Sequence, residues 1–194
     1  SKLSGAVPLV GINHGRCFAG NTALLACCDV IIATQDSTIA MGGPAMIEGG
    51  GLGIYTPEEV GPMSFQVPNG VVDILVRDEA EAVQVAKQYL SYFQGRVADW
   101  VAPDQRKLRH IVPENRLRLY DMRDIINTIA DVGSVLEIRK DFAVGIITCF
   151  IRIEGRAMGV IANNPHHLAG AIDSDGADKG ARFIQLCDAF DIPI

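Results

Sequence analysis

The stretch Gly15–Ala33, which reads GRCFAGNTALLACCDVIIA, restricts the fold more than any other part of the chain. The apolar run Val7–Asn13 before it suits a buried strand. Gly15, Arg16, Cys17, Phe18, Ala19 and Gly20 then read as a turn bracketed by glycines, Thr22–Asp29 as a short, mostly apolar helix, and the β-branched Val30–Ala33 as the next strand. The order strand, glycine turn, helix, strand makes an α/β unit.

That turn has a chemical and a structural explanation. The N-terminus of a helix leaves backbone N–H groups without partners and carries the positive end of the helix dipole. Glycine lets another molecule approach the backbone closely. Together these features make a donor site for an oxygen that gains negative charge, an oxyanion hole. The structural explanation is that Gly20 only lets the helix pack tightly against the strand. The pattern alone leaves both open.

The remaining elements follow in order. Thr38–Met41 is a short strand, and residues 42–70 form a long segment rich in Gly and Pro. Segments of that kind inside a domain are functional or mobile, or ordinary irregular connections. Val71–Val76 is a strand. Asp78 caps a helix whose inner face is Ala82, Val83, Val85, Ala86, Tyr89, Leu90 and Phe93, and Gly95 ends it. Residues 96–118 are charged, carry Pro103 and Pro113, and read as a linker. Asp121–Ala130 is a helix with Met122, Ile125, Ile126 and Ile129 turned inward, and Val135–Ile138 is a strand. Gly145–Ile153 and Arg156–Ala162 make a hairpin that turns at Glu154-Gly155. Asp173–Asp188 is a helix offering Ala177, Ala181, Ile184 and Leu186 to the core, and Asp188–Ile194 begins another strand.

Composition narrows the class. With 194 residues, 48% of them hydrophobic, the chain has material for one good core or parts of two. A net charge of −6 argues against nucleic acid as a main partner. No apolar run is long enough to span a bilayer, and Ser1–Gly5 lacks the pattern of a signal peptide. The five cysteines lack a C-x-x-C spacing and fall mostly in apolar runs, which favours buried free thiols over disulfides or a zinc site. His14 suits a packed or surface position better than a catalytic one, and the adjacent His166 and His167 suit a solvated loop.

The Gly15–Ala33 run resembles the G-x-x-x-G-G…C-D-x-x-I-A signature of the crotonase superfamily. Later motifs narrow the resemblance to the carboxyltransferase (beta) subunits of biotin-dependent acyl-CoA carboxylases, of the acetyl- and propionyl-CoA carboxylase type. They are the Gly42-Gly43-Pro44 turn, Gly70-Val71-Val72-Asp73, Leu90-Ser91-Tyr92, the run from Gly155 through Pro165, and the run from Asp173 through Pro193. The resemblance covers nearly the whole chain.

It implies an α/β, crotonase-like fold of stacked β-β-α units in two homologous halves, both incomplete here. Residues 1–95 are the expected C-terminal part of the first half, 96–120 a linker, and 121–194 the start of the second. It implies transfer of a carboxyl group from carboxybiotin to the α-carbon of an acyl-CoA through an enolate. Gly20 and Asn21 are the implied catalytic donors, although the family usually has a second glycine where Asn21 stands. Ala19, Gly42, Gly43, Pro44, Lys179 and Arg182 are the implied substrate-binding residues. Implied partners are a biotin carboxylase, a biotin carboxyl carrier, and further copies of the chain in dimers to hexamers, with no metal. The second oxyanion site is expected beyond residue 194. A cytoplasmic location is expected, or the mitochondrial matrix in a eukaryote. Two other functions remain: a crotonase-type hydratase, isomerase or decarboxylase, which needs a side-chain acid or base, and a non-catalytic assembly subunit with the same fold.

Overall fold

The structure is a computed structural model. It describes residues 2–115 and 117–194 and divides into two units, Ser1–Gln88 and Tyr89–Ile194. In the first unit, strands β1 (Val10–Asn13), β3 (Val30–Thr34) and β5 (Ile74–Val76) form a parallel sheet in the order β1-β3-β5. Every residue of β3 is buried, as a central parallel strand requires, and this explains its uninterrupted β-branched and small composition. Strands β2 (Arg16–Phe18) and β4 (Thr38–Ala40) form a second parallel pair, with Phe18 opposite Ala40. Arg16–Phe18 is therefore a strand, where the glycines on either side suggested a turn. The three residues are too few for a period to show.

Two aspartates fix the register of the larger sheet. The Asp29 N–H donates to the Leu9 carbonyl at 2.8 Å, and the Leu9 N–H donates back to the Asp29 carboxylate at 2.7 Å. Asp73 repeats the arrangement on the next strand: its N–H donates to the Ile31 carbonyl at 3.0 Å and its carboxylate accepts from the Ile31 N–H at 2.7 Å. In each case a carboxylate stands in for a ladder carbonyl. Hydrogen bonds to an ionised acceptor are roughly twice as strong as neutral ones. β5 is shorter than the expected Val71–Val76, because the Val71 and Val72 N–H groups donate to Asn69 and Gln66 instead of to β3.

Helix α1 (Gly20–Ala26) follows β2. The Gly- and Pro-rich region holds α2 (Pro44–Gly49), a 3-10 turn at Pro57–Glu59 closed by a Thr56–Glu59 capping box, and α3 (Met63–Gln66). Gly61 is fixed in place: its φ is +66° and an added Cβ would lie 2.0 Å from the Ile39 carbonyl oxygen. Cys17, Leu25, Ile31, Ala33, Ile39, Met63, Val67 and Val72 make this unit's core.

Helix α4 (Glu79–Ser91) begins in the first unit and ends in the second. The second unit contains α5 (Leu108–Ile111), α6 (Met122–Ile129) and an antiparallel sheet of β6 (Leu136–Ile138), β7 (Ile146–Ile153) and β8 (Arg156–Asn163) in that order. The hairpin turns at Glu154-Gly155 in register, Ile153 opposite Arg156. Residues 96–101 lie against that turn: Val97 donates to Gly155 and Val132 to Val101. Asp131 receives the Glu154 and Gly155 N–H groups on its carboxylate, and Arg152 donates to the carbonyls of Ser91, Gly95 and Gly155. Phe150 is the hub of an aromatic cluster with Tyr89, Tyr92, Phe93 and Phe183.

Helix α7 (Ser174–Ala189) buries Gly176, Lys179, Phe183 and Cys187. Ala177, Ala181 and Ile184, expected in the core, are exposed. The buried stripe keeps helical spacing but runs through a lysine, which a reading by apolarity passes over. Cys17, Cys149 and Cys187 are buried free thiols, whereas Cys27 is exposed at the end of α1, one residue outside the packed helix face. No helix among the described residues is long and apolar enough to cross a membrane.

The aspartate clamp makes a measurable prediction. Asp73→Ala strands the buried Ile31 N–H, so the protein should lose about 1–3 kcal/mol in urea unfolding. Asp73→Asn keeps an acceptor oxygen and should lose clearly less. Equal losses in the two variants would refute the clamp.

Candidate active site

The two glycine turns lie at the same end of one strand pair. β2 ends at Phe18 and β4 at Ala40, which are partners across the ladder. Ala19-Gly20 continues from one strand and Met41-Gly42-Gly43-Pro44 from the other. The Ala19 N–H donates to the Ala40 carbonyl at 3.3 Å. A Cβ on Gly43 would lie 3.5 Å from the Phe18 ring. The structure thus brings Ala19, Gly20, Asn21, Gly42, Gly43 and Pro44 to the carboxyl ends of two parallel strands, where open α/β sheets bind ligands. Gly43 caps α2 and Pro44 takes its first position.

Ala19 is strained. Its φ of 53° and ψ of −123° lie outside the regions open to residues with a Cβ. Such a conformation costs on the order of 1–3 kcal/mol and persists only where the surroundings impose it. Here the Ala40 carbonyl holds the Ala19 N–H. The Thr22 hydroxyl lies 2.8 Å from the Cys17 carbonyl and 2.9 Å from that of Ala40, donating to one at a time. The first bond within α1 runs from Ala23 to the Ala19 carbonyl. The N–H groups of Gly20 and Asn21 have no acceptor among the described residues, and both residues are exposed.

Gly20 is not explained by packing. Its φ is outside the range that favours glycine, and an added Cβ would meet nothing within 4 Å. That excludes the tight helix–strand contact as its reason. What the missing side chain leaves is open space beside two unpaired donors. The resemblance named Ala19 among the substrate-binding residues, but neither its strained backbone nor the part of Thr22 in holding the turn was visible in the sequence. A threonine two residues after the glycine was the one available hint.

Lys179 and Arg182 belong to the other unit. Arg182 is on the exposed side of α7. Lys179 is 1% exposed, and its ammonium donates to the Phe142 carbonyl at 2.9 Å. Burial lowers its pKa to about 8, against Glu137, which pulls the other way, while Arg123 and Arg139 add to the lowering. Lys179 therefore holds the loop before β7 and is enclosed. Arg123 meets Glu137 through two bonds, 2.9 and 2.6 Å.

His14 is a half-exposed surface residue, 3.1 Å from Glu79 and 3.2 Å from the Thr34 hydroxyl. His167 is not simply solvated: it lies 3.2 Å from Asp173, the cap of α7, because the loop after β8 folds back onto that helix start. The Asp173 carboxyl is held below its ordinary range by the Gly176 N–H first and by His167 second. Among the described residues no group of three or more His, Cys, Asp or Glu is placed to hold a metal ion.

Open parallel strands that end in a glycine-led donor turn define a crotonase-like α/β protein, and solved carboxyltransferase structures share the arrangement. A structure titled as a single-chain, multi-domain long-chain acyl-CoA carboxylase superposes with a TM-score of 0.97 at 60% identity, over 99% of this chain and 19% of that one. The chain belongs to the carboxyl transferase domain family, which it matches over residues 1–194. The methylmalonyl-CoA carboxyltransferase 12S subunit of Propionibacterium freudenreichii subsp. shermanii is 33% identical over 100% of this chain and 38% of its own length. The propionyl-CoA carboxylase beta chain of Cereibacter sphaeroides is 35% identical over 98% of this chain and 40% of its own. The chain thus spans about two fifths of the length of these curated relatives.

Two predictions come from this geometry. Ala19→Gly should raise stability by about 1 kcal/mol, the relieved strain exceeding the added chain entropy. A thermal melt tests it, and a lowered midpoint would contradict it. For Lys179 the folded pKa, about 8, lies below the ordinary value of 10.5. Between those values the unfolded chain binds the extra proton, so the contribution of Lys179 to stability improves as pH rises from 8 toward 10.5. In Lys179→Met that term vanishes. The urea midpoint of the wild type should gain on the variant between pH 7.5 and pH 9.5, and a constant difference would refute the shift.

Proposed function

We propose that this chain is part of the carboxyltransferase component of a biotin-dependent acyl-CoA carboxylase, and that the Ala19–Asn21 turn holds the thioester oxygen of the acyl-CoA. The observation that carries this is the pair of unpaired N–H groups at Gly20 and Asn21 beside a glycine that packing does not require. Removing the α-proton of a thioester places negative charge on its oxygen. Fixed N–H donors stabilise that charge without reorganising during the reaction. The donor set suits an enolate oxygen, since it combines two amides with an open approach and no basic side chain. Carboxybiotin, when bound, supplies the carboxyl group that the enolate carbon captures. Asn21 contributes the same N–H as the glycine usual in the family, and its side chain narrows the approach.

Several further points belong to this reading. The biotin carboxylase and the biotinylated carrier lie on other domains or subunits, and copies of the chain assemble into dimers to hexamers. Residues 1–95 and 121–194 belong to two homologous halves joined by 96–120. Gly42, Gly43 and Pro44 line the acyl-CoA side of the turn, and the exposed Arg182 suits a phosphate of the coenzyme better than the enclosed Lys179 does. The protein works in the cytoplasm or, in a eukaryote, the mitochondrial matrix.

The geometry makes a clean test available. A side chain at position 20 projects into open space, so Gly20→Val should fold with little change in melting temperature. It should lower carboxylation turnover by about 10²–10³, as much as the loss of one oxyanion donor, because the valine side chain crowds the thioester away from N–H groups that stay in place. Asn21→Asp puts negative charge beside the developing anion and should also be harmful, whereas Asn21→Gly should be tolerated. The measurement is steady-state carboxylation of acyl-CoA by the full-length protein. Normal turnover in both Gly20→Val and Asn21→Asp would remove the turn from the mechanism and favour the assembly-subunit reading.

A further inference from the structure

Helix α1 has seven residues, and only Thr22 and Leu25 of them are buried. Leu25 joins the apolar core, a contact that carries no direction of its own. Thr22 is held differently. Its hydroxyl lies 2.8 Å from the Cys17 carbonyl on β2 and 2.9 Å from the Ala40 carbonyl on β4, so one small rotor serves both strand ends. Among the described residues it is the one side chain of α1 that bonds to these strands. Ala19, the cap, offers no side-chain bond, and its N–H reaches the Ala40 carbonyl only at 3.3 Å. The direction in which Gly20 and Asn21 present their N–H groups therefore depends on the buried hydroxyl of the next residue.

We propose that Thr22 is a positioning residue for the reaction: its hydroxyl fixes the aim of the Gly20 and Asn21 N–H groups at the thioester oxygen and so sets turnover. The proposal rests on the carboxyltransferase reading and adds to it a buried residue that acts only through the turn. Donors aimed at a developing anion are worth most when they are fixed before the reaction starts. A misplacement of about 1 Å can cost about 10²-fold in rate. The thioester oxygen gains its negative charge on the way to the enolate, so a badly aimed donor costs the transition state more than the bound substrate. Valine matches threonine in shape but lacks the hydroxyl, and that hydroxyl is the whole of the directional link.

The experiment uses the full-length protein as the wild type, Thr22→Val, Thr22→Ser and Thr22→Cys, with melting curves to confirm folding. Serine keeps the hydroxyl, whereas cysteine offers only a weak donor and carries the test if the valine variant does not fold. Thr22→Val should lower kcat for acyl-CoA carboxylation at least about tenfold while KM changes by less than about twofold. Thr22→Cys should follow it, and Thr22→Ser should recover most of the rate. A normal kcat in Thr22→Val, or in Thr22→Cys where valine does not fold, overturns the proposal. So does a folded Thr22→Ser as slow as the valine variant, which would make side-chain volume the cause, and so does a loss carried by KM alone. Calorimetry gives a readout that needs no turnover. A coenzyme A analogue with a nitronate in place of the thioester carries its negative charge on oxygen, and its affinity should fall at least about tenfold in Thr22→Val while that of a neutral coenzyme A thioether holds. A wild type that carboxylates no acyl-CoA defeats the carboxyltransferase reading. In that event a selective loss of nitronate affinity still upholds the role of Thr22, and equal affinities for the two analogues across wild type and variant overturn it.

Discussion

The clamp between an aspartate and the neighbouring strand underlies the arrangement of the first unit. At Asp29 and again at Asp73 one residue closes both directions of hydrogen bonding with the strand beside it, through its own N–H and its own carboxylate. A side chain in place of a ladder carbonyl permits one register only, since a slip of one residue would leave a charged acceptor and a buried N–H unpaired. The order β1-β3-β5 is fixed this way, and so is the point from which the chain departs for β2 and β4. In the second unit Asp131 uses a related device, holding the two N–H groups of the hairpin turn.

A frame fixed so firmly can hold a strained turn. Ala19 adopts backbone angles that a residue with a Cβ avoids, and no contact of its own side chain supplies the compensation. The compensation comes from the Ala40 carbonyl and the Thr22 hydroxyl, which tie the turn to the ends of β2 and β4. The strain has a use. It lets α1 start directly at the strand end, where the N–H groups of Gly20 and Asn21 have no acceptor among the described residues.

The sequence carried the class of fold well, because strong local signals agreed with tertiary structure. The β-branched Val30–Ala33 is a central strand, the Glu154-Gly155 turn sets the hairpin register, and Asp121 and Asp173 cap the helices that follow them. It carried the position of Gly20 at a helix start. It could not carry the strand at Arg16–Phe18, which is too short for a period and exists because β4 pairs with it. The backbone angles of Ala19 are imposed by tertiary contacts and leave no trace in residue type. The enclosure of Lys179, which the resemblance offers as a substrate-binding residue, was not legible for a related reason: it depends on burial of this face of α7 and on the Phe142 carbonyl, a residue 37 positions away. Of the resembled family's substrate residues, those on the two turns come together at one strand end, while Lys179 and Arg182 lie in a unit of their own.

The chemistry of the turn also bears on which reaction suits it. A hydratase or isomerase must move protons through a side chain close to the reacting carbon. Within this unit the obvious acid–base residue is His14, and it precedes β2, while Gly20 follows it. The three residues of that strand alone put about 10 Å between the two. His14 is also engaged with Glu79 and Thr34 at its own end. Around Gly20 the described neighbours Ala19, Asn21, Gly42, Gly43 and Pro44 carry no ionisable side chain, and the open donors at the turn are the Gly20 and Asn21 N–H groups. On the proposed reading, donors of this kind would hold an anion while the base and the electrophile arrive with the second substrate, as they do in carboxyl transfer from carboxybiotin.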